Sequence, residues 1–125
     1  MSASVKTIVI ADDDADLRLL VQVTLENPAY RILTAVDGCE ALDAVKQYRP
    51  DLLIIDWMMP GLTGCEAVTQ LRQNPHTAMM PIVMLTARDG REAQEQMASL
   101  ALAGYLVKPF SPLALIKKVK ETLEV

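Results

Sequence analysis

The sequence predicts a doubly wound α/β fold, in which helices cover both faces of a five-stranded parallel sheet. Two observations support this fold. Five short apolar runs alternate with segments that carry apolar residues at helical spacing, and four of the runs are almost continuously apolar, as in strands covered on both faces. Since right-handed crossovers place helices on both faces of such a sheet, we expect a (βα)5 domain that spans residues 1–125.

The strands are predicted from the apolar runs, and the second run is more polar than the others, which favours a position at an edge of the sheet. The runs are Thr7–Ala11, Tyr30–Ala35, Leu52–Ile55, Ile82–Thr86 and Gly104–Val107.

The helices are predicted from stripes of apolar residues between these runs. The stripes are Leu17, Leu20, Val21 and Leu25; Ala41, Leu42 and Val45; Val68 and Leu71; Met97, Leu100 and Ala101; and Leu113, Ile116, Val119 and Leu123. Asp14 or Asp16 is expected to cap the first helix and Asp37 the second, whereas Ser111 with Pro112 opens the last.

The composition restricts the class of protein and its partners. A hydrophobic content of 51% with a net charge of only −4 excludes a disordered chain, and the acidic balance argues against direct nucleic-acid binding. No apolar run reaches the roughly 18 residues of a membrane span, and the first residues do not resemble a signal peptide. Cys39 and Cys65 are interpreted as free thiols. We therefore expect a cytoplasmic protein with no membrane partner.

Polar residues follow the predicted strands at the points where the strands end. The run Asp12–Asp14 follows the first strand, Asp56 the third and Lys108 the fifth, and Thr86 ends the fourth. The carboxyl ends of parallel strands meet at one edge of a doubly wound sheet, where ligands bind. Asp56 is the most informative residue of this group, because a charge directly after four apolar strand residues is costly without a partner.

These residue types together indicate phosphoryl transfer to an aspartate. Two carboxylates about 4 Å apart repel by about 4 kcal/mol at an effective dielectric of 20, and a Mg²⁺ ion with oxygen ligands relieves that repulsion. Lys108 can hold a phosphate oxygen and Thr86 can donate a hydroxyl. Alone, the Asp run is typical of a helix cap and Lys108 of a solvated turn, but their joint position at successive strand ends favours a site.

The sequence resembles the response regulator receiver family of two-component signalling over nearly its whole length. The matching segments are Ile10–Asp14, Ala35–Leu42, Pro50–Gly61, Leu85–Arg88 and Tyr105–Phe110. The resemblance implies a flavodoxin-like fold with strand order 2-1-3-4-5.

The resemblance also implies a role for each site residue. Asp56 is similar to the phosphoacceptor, Asp12 and Asp13 to the acidic pair that holds Mg²⁺, and the backbone carbonyl of Met58 to a further metal ligand. Lys108 is similar to the cation that binds the phosphoryl group.

The remaining implied roles concern the signal. Thr86 is similar to the switch hydroxyl that bonds the phosphoryl group, and Tyr105 to the aromatic residue that turns inward when Thr86 moves. The output face would comprise the fourth helix, fifth strand and fifth helix. The Lys108–Pro109 bond is expected to be cis.

A receiver domain would take its phosphoryl group from a histidine kinase or a histidine phosphotransfer protein, through the first helix and the loop after the fifth strand. It would catalyse only its own phosphorylation and slow autodephosphorylation, and would act on a downstream protein or output domain that the sequence does not identify. Met58 and Arg88 stand where fast-cycling relatives carry an acid and an amide, which predicts a phosphoryl lifetime of minutes or longer.

The sequence departs from the family pattern before the fifth strand, where Ala101–Ala103 replaces Gly-Ala-Asp. The missing glycine removes an easy left-handed helix end, at a cost of up to about 1 kcal/mol. The missing acid argues against the dimer that some transcription factors of the family form. Leu102 predicts an apolar patch on the output face.

Other classes of protein fit the residues less well. Haloacid-dehalogenase-like phosphatases carry a second Asp two residues after the nucleophile, and here that residue is Met58. A flavodoxin-like flavin carrier needs a neutral, hydroxyl-rich loop after the first strand, whereas Asp12–Asp14 would repel a phosphate. A degenerate receiver that only binds partners would lack one of the acidic pair, the acceptor Asp or the Lys, and all are present. A stand-alone receiver and a segment of a longer regulator both remain possible.

Overall fold

The structure is a computed structural model that describes residues 5–87 and 90–123. Five parallel strands form one sheet in the order β2-β1-β3-β4-β5, as the resemblance implied. The strands are β1 (Lys6–Ala11), β2 (Tyr30–Ala35), β3 (Leu52–Asp56), β4 (Ile82–Thr86) and β5 (Gly104–Val107). The helices are α1 (Ala15–Thr24), α2 (Gly38–Tyr48), α3 (Gly64–Gln73), α4 (Arg91–Ala98) and α5 (Pro112–Leu123). The predicted (βα)5 alternation is confirmed.

Helices cover both faces of the sheet, and successive side chains of a strand point to opposite faces, so each strand contributes to two buried clusters. Val9 of β1 belongs to the cluster under α2, α3 and α4, whereas Ile8 and Ile10 belong to the cluster under α1 and α5. Every residue of β3 and β4 is buried. Complete burial of such aliphatic side chains contributes about 1.5–3 kcal/mol each, which makes the central strands a rigid support for the residues at their ends.

The two edges of the sheet are β2 and β5, as the strand order implied by the resemblance requires. The second strand is more polar, as expected for an edge, whereas the sequence of β5 is almost continuously apolar although all four of its residues are half-buried. The expected apolar patch at Leu102 is wrong, because this side chain is half-buried and packs against the core cluster under α2, α3 and α4.

Side chains at the helix starts satisfy backbone N–H groups that have no intrahelical partner. Asp14 caps α1 and Asp37 caps α2, and Ser111 accepts a hydrogen bond from the backbone of Ala114 in α5. The capping box formed by Thr63 and Glu66 at α3 was not predicted, although the Thr-x-x-Glu spacing is its usual signature.

The fourth helix is shorter than its predicted apolar stripe. It ends at Ala98, and Ala101 lies beyond it with a φ of +53°, in the left-handed region that the missing glycine would have occupied without strain. Among the helices of the described part of the chain, none combines the length and apolarity needed to cross a membrane.

Candidate functional site

The register of the sheet brings the predicted site residues to one edge. Ala11 pairs with Ile55, and Asp56 pairs with Leu85, so that Asp12, the residue after Ala11, lies beside the end of β3. Thr86 pairs with Val107, which places Lys108 directly after the neighbouring strand end. Four strand ends that are distant in sequence therefore contribute side chains to the same small region.

Three carboxylates meet there. Asp12, Asp13 and Asp56 each offer an oxygen atom, and these atoms all lie within 4.8 Å of one another. Asp12 is completely buried, Asp56 is 5% exposed and Asp13 is exposed. The cluster therefore has a buried floor and one side open to solvent, which suits a cation that keeps several waters.

Lys108 supplies the positive charge of the site. Its Nζ lies 3.0 Å from Oδ1 of Asp56 and 3.7 Å from Oδ2 of Asp12. The backbone N–H of Lys108 donates to the carbonyl of Thr86 at 2.7 Å, which continues the β4–β5 ladder and holds the lysine against the acidic cluster. The Lys108–Pro109 bond is cis, as expected.

The two oxygens of Asp12 have different surroundings. Oδ1 accepts a hydrogen bond from the backbone N–H of Asp14 at 2.9 Å, whereas buried Oδ2 has no hydrogen-bond partner among residues 5–87 and 90–123. Burial raises the pKa of Asp12 to about 6, and repulsion from Asp56 and Asp13 adds to this, while the Asp14 N–H and Lys108 oppose it. A buried carboxylate oxygen without a donor is costly, and a cation would compensate it.

These residues fit a magnesium ion. Mg²⁺ prefers oxygen ligands and is usually bound through one or two carboxylates, with water in the remaining positions. The cluster offers three carboxylates, one of which has an oxygen without a hydrogen-bond donor. The predicted metal residues Asp12, Asp13 and Asp56 are thus brought together.

Two contacts that position the acidic residues were not predicted from the sequence. The side chain of Arg18 in α1 donates from Nη1 to the carbonyl oxygen of Asp12 at 2.7 Å. Gly64, the first residue of α3, lies so close to Asp56 that a Cβ there would be 2.1 Å from the Asp56 carbonyl oxygen. The sequence gives no local signal for either contact, because both depend on how the helices are placed on the sheet.

The loop after β3 begins with Trp57 and Met58. Trp57 is 5% exposed, and its backbone donates to the carbonyl of Leu85 and accepts from the N–H of Gly64, both at 2.9 Å. Met58 is 55% exposed. These bonds tie the residue after Asp56 to β4 and α3, which makes Trp57 a suitable optical reporter of the site.

The predicted switch residues lie on neighbouring strands. Thr86 is buried at the end of β4. Tyr105 in β5 pairs with Met84, is half-buried, and accepts a hydrogen bond at its hydroxyl from Nε2 of Gln94 in α4 at 3.3 Å. Arg88, one of the two residues from which the phosphoryl lifetime is predicted, lies outside the described residues.

Comparison with known proteins shows which family the chain resembles. The family model of the response regulator receiver domain matches residues 8–120. The chain is similar to the phosphate regulon transcriptional regulatory protein PhoB of Pseudomonas aeruginosa, with 36% identity over 94% of this chain and 52% of that protein. It is also similar to the alkaline phosphatase synthesis transcriptional regulatory protein PhoP of Bacillus subtilis, with 40% identity over 94% of this chain and 48% of that protein. The chain thus spans about half the length of these curated relatives.

Solved structures show the same fold. The chemotaxis response regulator CheY4 of Vibrio cholerae superposes with a TM-score of 0.89 at 34% identity, covering 96% of this chain and all of that one. The receiver domain of the Francisella response regulator 1452 gives a TM-score of 0.87 at 30% identity, covering 95% of this chain and 97% of that one. The sheet order, the acidic cluster and these matches agree, and the chain belongs to the response regulator receiver domain family of two-component signalling systems.

Proposed function

We propose that Asp56 is the phosphoacceptor of this receiver domain. The observation that carries the proposal is the position of its carboxylate, which is buried at the end of β3 between two other acids and the Lys108 ammonium group. One oxygen of Asp56 would attack the phosphorus of a phosphohistidine. The P–N bond would break, the imidazole would leave with that electron pair, and an acyl phosphate would form on Asp56.

Charge neutralisation is the chief requirement of this transfer, since an anionic nucleophile approaches an anionic phosphoryl group. Asp12, Asp13, Asp56 and the backbone carbonyl of Met58 would hold Mg²⁺, which would supply positive charge to the phosphoryl oxygens. Lys108 would exchange its contact with Asp56 for a contact with a phosphoryl oxygen. The 3.0 Å separation from Asp56 supports this role, because the ammonium group is already within contact distance.

The negative charge of the phosphoryl group would act on residues of the neighbouring strands. The phosphoryl group adds negative charge and acceptor oxygens next to the end of β4, where Thr86 could donate its hydroxyl. Movement of Thr86 would make space for Tyr105, whose strand pairs directly with β4. The face formed by α4, β5 and α5 would then change, as a shift between two populations.

A phosphodonor could reach the site along α1, which begins three residues after Asp12. Leu19, Leu20 and Val23 of this helix are 51–58% exposed, an unusual number of aliphatic side chains for one solvent-facing surface. We infer that a histidine kinase or histidine phosphotransfer protein in the cytoplasm docks there. The downstream partner would be a protein or output domain rather than nucleic acid, since the chain is acidic.

The domain would act as a signalling component rather than as an enzyme that turns over an external substrate. The only chemistry expected of it is its own phosphorylation and a slow loss of the phosphoryl group. Met58 offers no acid or amide to position water near Asp56, so we expect the acyl phosphate to persist for minutes or longer. Loss of a radioactive phosphoryl label within seconds would contradict this expectation.

The direct test uses Trp57 fluorescence. Mg²⁺ should cause a saturable change, and beryllium fluoride, which mimics a phosphoryl group on an aspartate, should cause a further change. Asp56→Asn should remove the beryllium fluoride response while the protein remains folded by circular dichroism. Equal responses in the wild type and in Asp56→Asn would exclude Asp56 as the acceptor, and no response in a folded wild type would favour a receiver that only binds partners.

A further inference from the structure

Gln94 links the fourth helix to the predicted switch aromatic. Its side-chain nitrogen donates to the hydroxyl oxygen of Tyr105 at 3.3 Å, a contact between the solvent-exposed side of α4 and the edge strand β5. Tyr105 is half-buried, and its ring packs against the core cluster under α2, α3 and α4. The hydroxyl is therefore held at the surface next to α4 while the ring contacts the core.

The two ends of α4 are held differently. Beyond its C-terminal end, the guanidinium of Arg72 donates to the carbonyl oxygens of Leu100 at 2.9 Å and of Ala101 at 3.0 Å. The same guanidinium also donates to the carbonyl oxygen of Met80 at 2.8 Å, so that it ties the end of α4 to the α3–β4 loop.

The N-terminal end of α4 has a weaker attachment. The N-cap is Gly90, and no side-chain cap is found there within the described residues, in contrast to α1, α2 and α3. A glycine N-cap stabilises a helix start less than Ser, Thr, Asn or Asp, by roughly a few tenths of a kcal/mol, so the first turn of α4 should be held less firmly than the capped starts of α1, α2 and α3. Gln94 lies in this first half of the helix and connects it to β5.

We propose that Gln94 is a positioning residue that restrains the switch in its resting state. The inference rests on the proposed function, in which Tyr105 turns inward after phosphorylation. The outward position is here the one in which the hydroxyl of Tyr105 accepts from the exposed side chain of Gln94. A ring that turned toward Thr86 would lose this hydrogen bond, so the bond would stabilise the outward position. Loss of this bond should raise the population of the inward state, and a ligand that prefers that state should bind more tightly by the same factor.

The experiment measures the affinity for beryllium fluoride at saturating Mg²⁺, with Trp57 fluorescence as the readout. Gln94→Ala and Gln94→Leu should each bind beryllium fluoride about two- to fivefold more tightly than the wild type, as expected for one neutral hydrogen bond near the surface. The Mg²⁺ affinity should not change, because a change there would indicate a general disturbance of the acidic cluster. Gln96→Ala and Gln96→Leu, two residues further along the same helix and also exposed, should leave both affinities unchanged.

A double-mutant cycle with Tyr105→Phe separates this role from a change in helix stability. Without the hydroxyl of Tyr105 this bond no longer exists, so the effect of Gln94→Ala should be smaller in the Tyr105→Phe background than in the wild type. In the opposite direction, Gln94→Glu should accept a charge-assisted bond from the tyrosine and weaken beryllium fluoride binding, whereas Gln96→Glu, which adds the same charge, should not.

Three results would overturn the proposal. One is an equal effect of Gln94→Ala with and without the tyrosine hydroxyl, and another is an affinity that no Gln94 variant changes while the wild type binds normally. The third is a wild type that does not bind beryllium fluoride, which would remove the proposed function itself and is distinguishable because no variant is needed to observe it.

Discussion

The ammonium group of Lys108 lies 3.0 Å from Oδ1 of Asp56, although 51 residues lie between them in the sequence. The contact joins the ends of two strands that are not neighbours in the sheet, since β4 lies between β3 and β5. The lysine therefore reaches across the end of β4. From there it can neutralise either the Asp56 carboxylate or a phosphoryl group bound to it.

Replacement of this lysine should affect metal and phosphoryl binding in opposite directions. Lys108→Met removes a cation that competes with Mg²⁺ for Asp56, so the Mg²⁺ affinity should rise several-fold at pH 7. Binding of beryllium fluoride should weaken by tenfold or more, because one partner of the anionic group is lost. Both constants can be measured by Trp57 fluorescence. Parallel weakening of the two affinities would show instead that Lys108 mainly supports the fold of the site.

The raised pKa of Asp12 predicts a pH-dependent stability of the metal-free protein. The folded-state pKa of about 6 exceeds the ordinary value of 3.8, so the fold prefers the neutral acid. This contribution is complete below about pH 4 and is lost as the pH rises through 6, by up to about 3 kcal/mol, since one pKa unit corresponds to about 1.4 kcal/mol. Thermal unfolding without metal should therefore show a wild-type melting temperature that falls over this range relative to Asp12→Asn.

The control for this prediction is the same pair of proteins with saturating Mg²⁺. The ion should raise the melting temperature of the wild type at pH 7 and have little effect on Asp12→Asn, because Asp12 is the buried member of the proposed metal site. A pH profile that is parallel for the two proteins without metal would contradict the assignment of the titration to Asp12.

The Mg²⁺ affinity itself should depend on pH. As a proposed Mg²⁺ ligand, Asp12 would have to be ionised, so protons should compete with Mg²⁺ below about pH 6, and the affinity should fall about tenfold for each further pH unit. Isothermal titration calorimetry or Trp57 fluorescence between pH 4.5 and 8 would measure this. An affinity that stays constant down to pH 5 would show that Asp12 remains ionised or is not a ligand.

Gly64 should be intolerant of any side chain. A Cβ at this position would lie 2.1 Å from the carbonyl oxygen of Asp56, so Gly64→Ala must displace either α3 or the end of β3. We expect a loss of stability of about 1–3 kcal/mol in denaturant unfolding, together with weaker Mg²⁺ binding because Asp56 moves. Gly90→Ala is a suitable comparison, since no atom of the described residues lies within 4 Å of a Cβ there. Because Gly90 is the N-cap of α4, this variant tests the methyl group together with a slightly weaker cap. Equal behaviour of the two variants would show that the close approach has no consequence.

Ala101→Gly should stabilise the protein. Ala101 has a φ of +53°, a conformation that costs a residue with a side chain about 1 kcal/mol, whereas glycine adopts it freely. The gain is partly offset by the greater freedom of glycine in the unfolded chain, so we expect about 0.5 kcal/mol in denaturant unfolding. Ala103→Gly is the control, because Ala103 does not have a positive φ and should lose stability.

The sequence alone determined the fold class and most of the candidate site. Three of its runs, Tyr30–Ala35, Ile82–Thr86 and Gly104–Val107, coincide with strands, because continuous apolar or alternating patterns are local properties of the chain. It also determined that Asp12, Asp56, Thr86 and Lys108 would meet, since parallel strands must bring their carboxyl ends to one edge. The strand order and the cis bond were expected only through the family resemblance.

Only the tertiary structure decided the contacts that depend on helix placement and on exact distance. Arg18 and Gly64 are unremarkable in the sequence, yet one donates to the backbone of Asp12 and the other allows α3 to approach Asp56. Leu102 was expected to form an exposed apolar patch but is half-buried against a core cluster whose members are distant in the sequence. The raised pKa of Asp12 likewise results from complete burial beside two carboxylates, and burial is a sum over the whole fold that no local pattern contains.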